Sequence, residues 1–473
     1  MIVNSMYVDG RSYDSGETTA VYSPATDEVL ANVQAATLET AQIALESAKE
    51  AQLSWGKASV KTRIEWMNKL RQACIEHEEQ LRMCVHLETG KTWEGTQEDY
   101  QLLIDSLEFY AQEITRFQPD QLVDPDGQCV HTLRHKPVGV VVAYLSWNFP
   151  LLNLGYKLGP AMASGCPIIL KPSIQSPLSA YLVGDLCRQI GLPKGAVTII
   201  SGGDRDVSDL LTKSKVPAMI TLIGSIPTGV KIMATGATNI KRYSMELGGN
   251  TPFIVFNDAD LDKAADILTA LKYGNSGQIC VAPNRVFVES QVHDEFLAKV
   301  LERTAKVKLG FGRDSDATMG PLINKKARAG IHSLVMSAVE QGATLHAGGE
   351  LTDSDVGAFY PPTVVTGVHD MMEIYREELF GPVISMIRFE GEDYVTDMAN
   401  DTDTGLASYV FSQDHAKAKR VSENLDFGEV QINGVKYAIE LPHVGIKQSG
   451  IGCDCSKYAL NDYLYLTRET HSL

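Results

Sequence analysis

The sequence has no apolar run long enough to cross a membrane. Its longest, Val138 to Leu145, is far shorter than the ~20 residues that a spanning helix requires. Residues 1–10 also lack the basic and apolar stretches of a secretion signal. We therefore expect a cytoplasmic protein that has no membrane partner.

A disulfide framework and an excess of positive charge are also missing. The eight cysteines are scattered singly except for Cys453 and Cys455, so they predict no framework of disulfides. The C-x-C spacing of that pair is not usual for zinc and no further ligands cluster nearby, so we predict no metal. The net charge of -17 argues against a nucleic acid partner. An anionic ligand must therefore be held by local groups.

What the chain has instead is a regular alternation of strand-like and helix-like segments over 473 residues. After strand-like residues 6–34, the apolar spacing predicts a helix from Thr37 to about Trp55 and a long one from Ser59 to Gly90. Short apolar strands then alternate with helices over 138–249 and again from Phe253 to about 435. This pattern predicts parallel α/β sheets, which bind ligands beyond the carboxyl ends of their strands.

Three local patterns add detail. Ser176-Pro177 is typical of a helix start, with Ser176 as the cap and Gly191 closing the helix. Residues 119–136 are rich in turn residues and then alternate, which predicts a protruding hairpin. The tail after Tyr458 is again strand-like.

One cysteine and one glutamate stand out chemically. Cys280 follows a Gly-Gln turn and begins an apolar run to Val288 that favours a strand, while Glu246 precedes the pair Gly248-Gly249. A thiol nucleophile and a carboxylate base are what an enzyme needs to form an acyl thioester and hydrolyse it. The pairing alone is weak evidence, because cysteine is more often a small buried hydrophobe.

Seven short motifs along the chain strengthen this interpretation. They are Trp147-Asn-Phe-Pro150, Lys171-Pro-Ser173, Gly224-Ser225 with Gly229, Glu246-Leu-Gly-Gly249, Gly277-Gln-Ile-Cys280, Glu377-Glu-Leu-Phe-Gly-Pro382 and Lys447-Gln-Ser-Gly450. In this order and spacing they resemble the NAD(P)-dependent aldehyde dehydrogenase superfamily, within it the branch of lactaldehyde, glycolaldehyde and succinate-semialdehyde dehydrogenases.

The resemblance implies an α/β fold of two α/β domains and a small β unit. The Rossmann-like NAD(P)-binding domain would comprise residues 1–118 and 138–249, and the catalytic domain residues 250–450. Residues 119–137 and 451–473 would form a bridging unit through which the chain pairs into a homodimer or homotetramer.

The resemblance also implies the site residues. Cys280 would be the nucleophile, Glu246 the base that activates water, and Asn148 the oxyanion donor. The cofactor, NAD or NADP, would be bound by Trp147, Lys171, Ser173, Ile174, Gly224, Ser225, Gly229, Leu247, Gly248, Glu378 and Phe380. The small aldehyde substrate would meet Phe149, Tyr156, Gly274, Ile279, Val281 and His443.

Departures from the superfamily pattern bear on specificity. Position 174, three residues after Lys171, usually holds a glutamate that binds the adenosine 2′-hydroxyl, so Ile174 favours tolerance of NADP. Tyr156 and Gly274 stand where succinate-semialdehyde dehydrogenases carry arginines. His443-Val444 replaces the common Phe-Gly, which places an imidazole near the substrate. These changes favour a neutral or hydroxylated aldehyde of the lactaldehyde or glycolaldehyde type.

Three alternatives remain open at this point. The first is a succinate-semialdehyde dehydrogenase. The second is a CoA-acylating dehydrogenase, which Glu246 disfavours because those enzymes typically lack the hydrolytic glutamate. The third is a non-catalytic nucleotide-binding relative, disfavoured because Cys280, Asn148 and Glu246 are all present.

Overall fold

The computed structural model describes residues 2–203, 205–351 and 355–473. Its strands are β1 Met6–Val8, β2 Arg11–Tyr13, β3 Thr18–Tyr22, β4 Val29–Gln34, β5 Asp120–Val123, β6 Cys129–Pro137, β7 Val140–Leu145, β8 Ile168–Pro172, β9 Val197–Ile199, β10 Pro217–Gly224, β11 Arg242–Leu247, β12 Pro252–Val255, β13 Arg285–Glu289, β14 Thr344–Ala347, β15 Thr363–Thr366, β16 Val383–Phe389, β17 Thr404–Gly405, β18 Ala407–Phe411, β19 Glu429–Ile432, β20 Ile446–Lys447, β21 Gly450–Ile451 and β22 Leu464–Ser472.

The helices lie between these strands. They are α1 Leu38–Ser54, α2 Val60–Glu76, α3 Glu78–Thr89, α4 Gly95–Glu113, α5 Pro150–Ser164, α6 Leu178–Gln189, α7 Arg205–Lys213, α8 Ile226–Gly236, α9 Leu261–Tyr273, α10 His293–Thr304, α11 Lys325–Glu340, α12 Glu373–Arg376, α13 Glu392–Asn400, α14 His415–Glu423 and α15 Leu460–Tyr463. A search of these described helices finds none with the length and apolar character to cross a membrane.

Two mostly parallel sheets form the bulk of the molecule. The first has the strand order β2-β1-β9-β8-β7-β10-β11-β21, and the second has the order β14-β15-β16-β13-β12-β18-β19. Strand β7 is buried along its whole length, as is β12, which is expected where helices cover both faces of a parallel sheet. The predicted alternation of strands and helices is therefore confirmed.

A third sheet has the order β22-β6-β5 and is antiparallel. Strand β22 pairs with β6 over nine residues, from Leu464 against Pro137 to Ser472 against Cys129. The predicted hairpin at 119–136 and the strand-like tail are thus both present. Much of β5 and β22 is exposed.

Two sequence-based expectations are wrong. The helix expected over 59–90 is interrupted at His77, whose φ of -117° and ψ of 24° leave the helical region, so α2 and α3 are separate helices. The strand expected from Cys280 begins only at Arg285. Pro283 lacks an N–H, and the Asn284 side chain bonds to Asn250 and to the Glu377 carbonyl, so this segment forms a loop.

The start of α6 also differs from expectation. Ser176 makes no side-chain cap; the carboxylate of Glu88, a distant residue in α3, accepts from the backbone N–H of Ser179 at 3.1 Å and from its hydroxyl at 2.6 Å. The same carboxylate accepts from the N–H of Leu178. Glu88 is fully buried, so a long-range contact supplies the cap that sequence reasoning assigned to a neighbouring serine.

We predict that Glu88→Ala destabilises the first half of the chain. The substitution leaves two buried N–H groups without an acceptor, which costs about 2–4 kcal/mol in the free energy of unfolding. Thermal unfolding followed by circular dichroism should show a lower midpoint. Glu65→Ala, at an exposed position on α2, is the matched control, and equal midpoints for the two variants would contradict the assignment.

Candidate active site

Cys280 follows a tight turn in which three successive residues have positive φ values. Asn275, Ser276 and Gly277 have successive φ values of 46°, 56° and 73°, a left-handed run that is costly for the two residues with side chains. A Cβ on Gly277 would lie 2.2 Å from the Gly381 carbonyl oxygen. Glycine is therefore required here, and the turn is pressed against the chain that precedes β16.

Hydrogen bonds tie this turn to Asn148, just before α5. The Asn148 side-chain amide donates to the Gln278 carbonyl at 3.1 Å, and the Asn275 amide donates back to the Asn148 carbonyl at 3.0 Å. Asn148 is 5% exposed. An amide held this way presents a fixed N–H donor next to the cysteine, which is what stabilisation of a developing oxyanion requires.

Glu246 lies near the carboxyl end of β11, where strand β21 pairs with it through Gly450. A carboxylate oxygen of Glu246, the Sγ atom of Cys280 and a ring nitrogen of His443 all lie within 4.8 Å of one another. A carboxylate, a thiol and an imidazole thus meet at the boundary between the two large sheets.

The imidazole of His443 lies between two carboxylates. Its Nδ1 is 2.6 Å from Glu429 Oε1, and its Nε2 is 3.2 Å from Glu246 Oε1 and 4.0 Å from Cys280 Sγ. Burial lowers the pKa of His443, but its hydrogen bonds to Cys280, Glu246 and Glu429 outweigh that effect and hold the pKa well above its usual value. A positive charge is therefore stabilised beside the thiol.

The thiol itself is partly buried beside apolar and acidic groups. Burial and the Glu246 carboxylate raise the pKa of Cys280 to about 12, while the hydrogen bond and charge of His443 act in the opposite direction. Because the thiolate is the reactive form, the imidazole favours the ionisation that burial opposes.

A cavity of about 530 Å³ opens over these groups. Fourteen of the candidate residues line it, namely Trp147, Asn148, Phe149, Tyr156, Gly224, Ser225, Glu246, Gly248, Ile279, Cys280, Val281, Glu378, Phe380 and His443. The other six candidates do not line it, namely Lys171, Ser173, Ile174, Gly229, Leu247 and Gly274. Gly274 lines a neighbouring cavity of about 310 Å³, and Phe149, Ile279 and Val281 line both cavities.

One side of the cleft has features that suit the phosphates of a dinucleotide. Ser225 precedes α8 and makes no side-chain cap to it, which leaves the first N–H groups of that helix available to an anion. A Cβ on Gly229 would lie 2.8 Å from Leu247 Cδ1, so glycine lets α8 pack closely on β11. Lys171 lies in β8, and burial lowers its pKa to about 8.

A second cradle lies at Gly248, beside Glu378. A Cβ on Gly248 would lie 2.3 Å from Glu378 Oε2, so the missing side chain allows the carboxylate to lie against the backbone. Glu378 accepts from the Gly249 N–H at 3.2 Å, and burial raises its pKa to about 7. The rings of Trp147 and Phe380 pack edge to face, with their centroids 5.6 Å apart. The residues present fit an NAD(P) group.

Several residues in the cavity were not singled out from the sequence. They are Glu98, Glu429, Gln431, Lys436 and Tyr437. Glu429 precedes His443 by fourteen residues, and no local sequence pattern predicts their contact. Arg285 is buried and donates to the carbonyls of Asn250, Met398 and Ala399, contacts that tie β13 to neighbouring segments of the chain.

Comparison with known proteins identifies the family. The model of the aldehyde dehydrogenase family matches residues 11–468. The chain is 37% identical to a mitochondrial succinate-semialdehyde dehydrogenase of Oryza sativa, over 98% of this chain and 88% of that one. It is 35% identical to a 3-sulfolactaldehyde dehydrogenase of Pseudomonas putida, over 98% and 96%.

Solved structures agree. An NADP-dependent enzyme of E. coli superposes with a TM-score of 0.97 at 34% identity, covering 100% of this chain and 98% of that one. A betaine aldehyde dehydrogenase of Staphylococcus aureus in complex with NAD+ superposes with a TM-score of 0.96 at 34% identity, covering 99% and 94%. With its fold, its cleft and these relatives in agreement, the chain belongs to the aldehyde dehydrogenase family and is an NAD(P)-dependent oxidoreductase that acts on aldehydes.

Proposed function

We propose that the protein oxidises a small neutral or hydroxylated aldehyde to its carboxylic acid through a thioester on Cys280. One observation carries the proposal: a thiol, a carboxylate and an amide donor converge at one cavity, with Cys280 near Glu246 and the Asn148 amide bonded to the adjacent Gln278 carbonyl. Nucleophile, base and oxyanion donor are the three parts that acyl transfer to water requires.

In the first step the Cys280 thiolate attacks the aldehyde carbon. The carbonyl oxygen takes the electron pair, and the Asn148 amide together with the Cys280 N–H stabilises the charge that develops there. His443, held as a cation between Glu246 and Glu429, favours the thiolate that begins the reaction.

The cofactor supplies the oxidant: when bound, NAD or NADP accepts a hydride from the substrate carbon. Ser225 and the start of α8 would bind its phosphates, Lys171 and Ser173 its adenosine ribose, and Glu378 its nicotinamide ribose. Ile174 would lie beside the adenosine 2′ position. Glu246 would then take a proton from water, which attacks the thioester and releases the acid and the Cys280 thiolate.

The charges around the cavity favour an uncharged substrate. Glu98, Glu246, Glu378 and Glu429 line it against Lys436 and His443, and no arginine is among the lining residues in the described part of the chain. An unpaired carboxylate in such a pocket costs on the order of 2–5 kcal/mol. The ring centroids of Tyr156 and His443 lie 6.5 Å apart. These two side chains would bind a substrate hydroxyl.

Succinate semialdehyde remains the second candidate, because a succinate-semialdehyde dehydrogenase is among the similar proteins and the Lys436 side chain lines the cavity.

We also propose the three-part organisation given above, with the exposed strands of the β22-β6-β5 sheet as the pairing surface of a homodimer or homotetramer. A cytoplasmic location accords with the scattered free cysteines.

Substitution of the nucleophile and base should separate the two chemical steps. We expect Cys280→Ser to abolish NAD(P)H formation, because a serine hydroxyl is a far weaker nucleophile without its own base. Glu246→Gln should form NAD(P)H in a single rapid turnover and then release acid slowly. Stopped-flow absorbance measures both phases, and an unchanged steady-state rate in Glu246→Gln would contradict its role as base.

A panel of aldehydes tests the substrate class and the reaction together. We expect kcat/KM for lactaldehyde or glycolaldehyde to exceed that for succinate semialdehyde, with propionaldehyde as the unhydroxylated reference and no dependence on added CoA. A tenfold or greater preference for succinate semialdehyde would show that Lys436 or another cation pairs with its carboxylate. A requirement for CoA would instead identify an acylating enzyme.

The cofactor preference should depend on position 174. Ile174 neither attracts nor repels a 2′-phosphate. We therefore expect kcat/KM for NADP to be within about a thousandfold of kcat/KM for NAD, which corresponds to a difference of ~4 kcal/mol in transition-state free energy. Ile174→Glu should disfavour NADP, and Ile174→Gln, of the same size but uncharged, separates charge from shape. Equal effects of the two variants on the NADP/NAD ratio would show that charge repulsion is not the cause.

A further inference from the structure

The three reactive side chains of the cavity also have the composition of a zinc site. Cys Sγ, His Nε2 and a Glu carboxylate oxygen are ordinary zinc ligands, and here they lie within 4.8 Å of one another. Among residues 2–203, 205–351 and 355–473 this is the one group of three such side chains found so close together.

The separations suit a tetrahedral ion. Zinc bonds of roughly 2.0–2.3 Å place neighbouring ligand atoms about 3.3–3.8 Å apart. The distance from His443 Nε2 to Glu246 Oε1 is 3.2 Å, and that to Cys280 Sγ is 4.0 Å. The third separation, between Cys280 Sγ and a Glu246 carboxylate oxygen, is at most 4.8 Å, so each pair is within about 1.5 Å of the spacing that a bound zinc ion requires.

A fourth residue orients the imidazole from behind. Glu429 Oε1 lies 2.6 Å from His443 Nδ1, and it also accepts from the Val444 N–H at 3.3 Å. A metal-binding histidine almost always donates its far N–H to a carboxylate, a backbone carbonyl or a water. Here the carboxylate of Glu429 fixes the ring and the tautomer in which Nε2 can bind a metal. The backbone of His443 is fixed as well, by two hydrogen bonds with Asp454.

We propose that Glu246, Cys280 and His443 form a Zn²⁺-binding site, with Glu429 orienting His443 and the fourth ligand position open to the cavity. Binding replaces two protons, that of the Cys280 thiol and that on His443 Nε2. Both leave to solvent as the sulfur–zinc and nitrogen–zinc bonds form, so the ion occupies Cys280 Sγ reversibly. The binding itself does not depend on the proposed function; the inhibition that it causes does.

Phenylalanine at position 443 gives the sharpest test, because it keeps a planar ring there while it removes the nitrogen ligand. We expect the wild-type full-length protein to bind one Zn²⁺ per chain in isothermal titration calorimetry with zinc chloride. His443→Phe and Cys280→Ser should each weaken binding by at least a hundredfold. Glu429→Gln, which keeps the side-chain size, should weaken it by about 10–100-fold.

Two controls exclude other thiols and misfolding. Cys453 lies outside the cavity, donates its Sγ–H to the Asp454 carbonyl and is partly buried, as Cys280 is. We expect Cys453→Ser to bind zinc as the wild type does. Cobalt in place of zinc should give a thiolate-to-metal charge-transfer band that Cys280→Ser lacks. Circular dichroism melts confirm that each variant is folded.

The outcomes separate this inference from the proposed function. Zinc should inhibit aldehyde oxidation, and a chelator should restore full activity. If zinc binds His443→Phe as tightly as the wild type, or if Cys453→Ser abolishes binding, the site is wrong even when aldehyde turnover is normal. If the three-residue site binds zinc but no aldehyde is oxidised, the site stands and the proposed function fails.

Discussion

The constraint on which the site depends is the left-handed turn before Cys280. Gly277 fits only because it has no side chain to meet the Gly381 carbonyl, and Ser276 donates to the Gly320 carbonyl at 2.7 Å. Asn275 and Asn148 hold the same turn from the side of α5. Each contact comes from a distant part of the chain, so Cys280 is positioned by the assembled fold. Strain of this kind persists only where the surroundings over-determine it.

The electrostatics of the site follow from removing water. A partly buried thiol next to a carboxylate resists ionisation, and burial also raises the pKa of Glu378 to about 7. His443 is the group that offsets this effect, because two carboxylates favour its protonated form. Buried charges are tolerated only when they are paired and hydrogen-bonded, and the chain meets that requirement here with Glu429, a residue remote from the nucleophile in sequence.

Sequence patterns predicted the parts of the fold that depend on local periodicity. The alternation that gave β7 and β10, the helix that starts at Thr37, and the 119–136 hairpin are all present. They failed where a long-range contact decides the outcome: Glu88 caps α6, and Pro283 with Asn284 prevents a strand after Cys280. The cavity followed the same rule. Its motif residues were identifiable, but the contact of Glu429 with His443 exists only in the folded chain.

Position 443 shows how one substitution changes several properties of a site at once. Phenylalanine is common at this position in the aldehyde dehydrogenase superfamily. Its phenyl ring would exclude water from the Cys280 thiol and would leave Glu246 as the one ionisable neighbour that the thiol has in this group of three. An imidazole at the same place adds a cation beside Cys280 Sγ and a hydrogen-bonding group toward the substrate. The same lone pair that exchanges a proton with these neighbours also binds a borderline-soft metal. Stabilisation of the Cys280 thiolate and the proposed zinc binding therefore have one physical origin, the Nε2 atom that Glu429 holds in place.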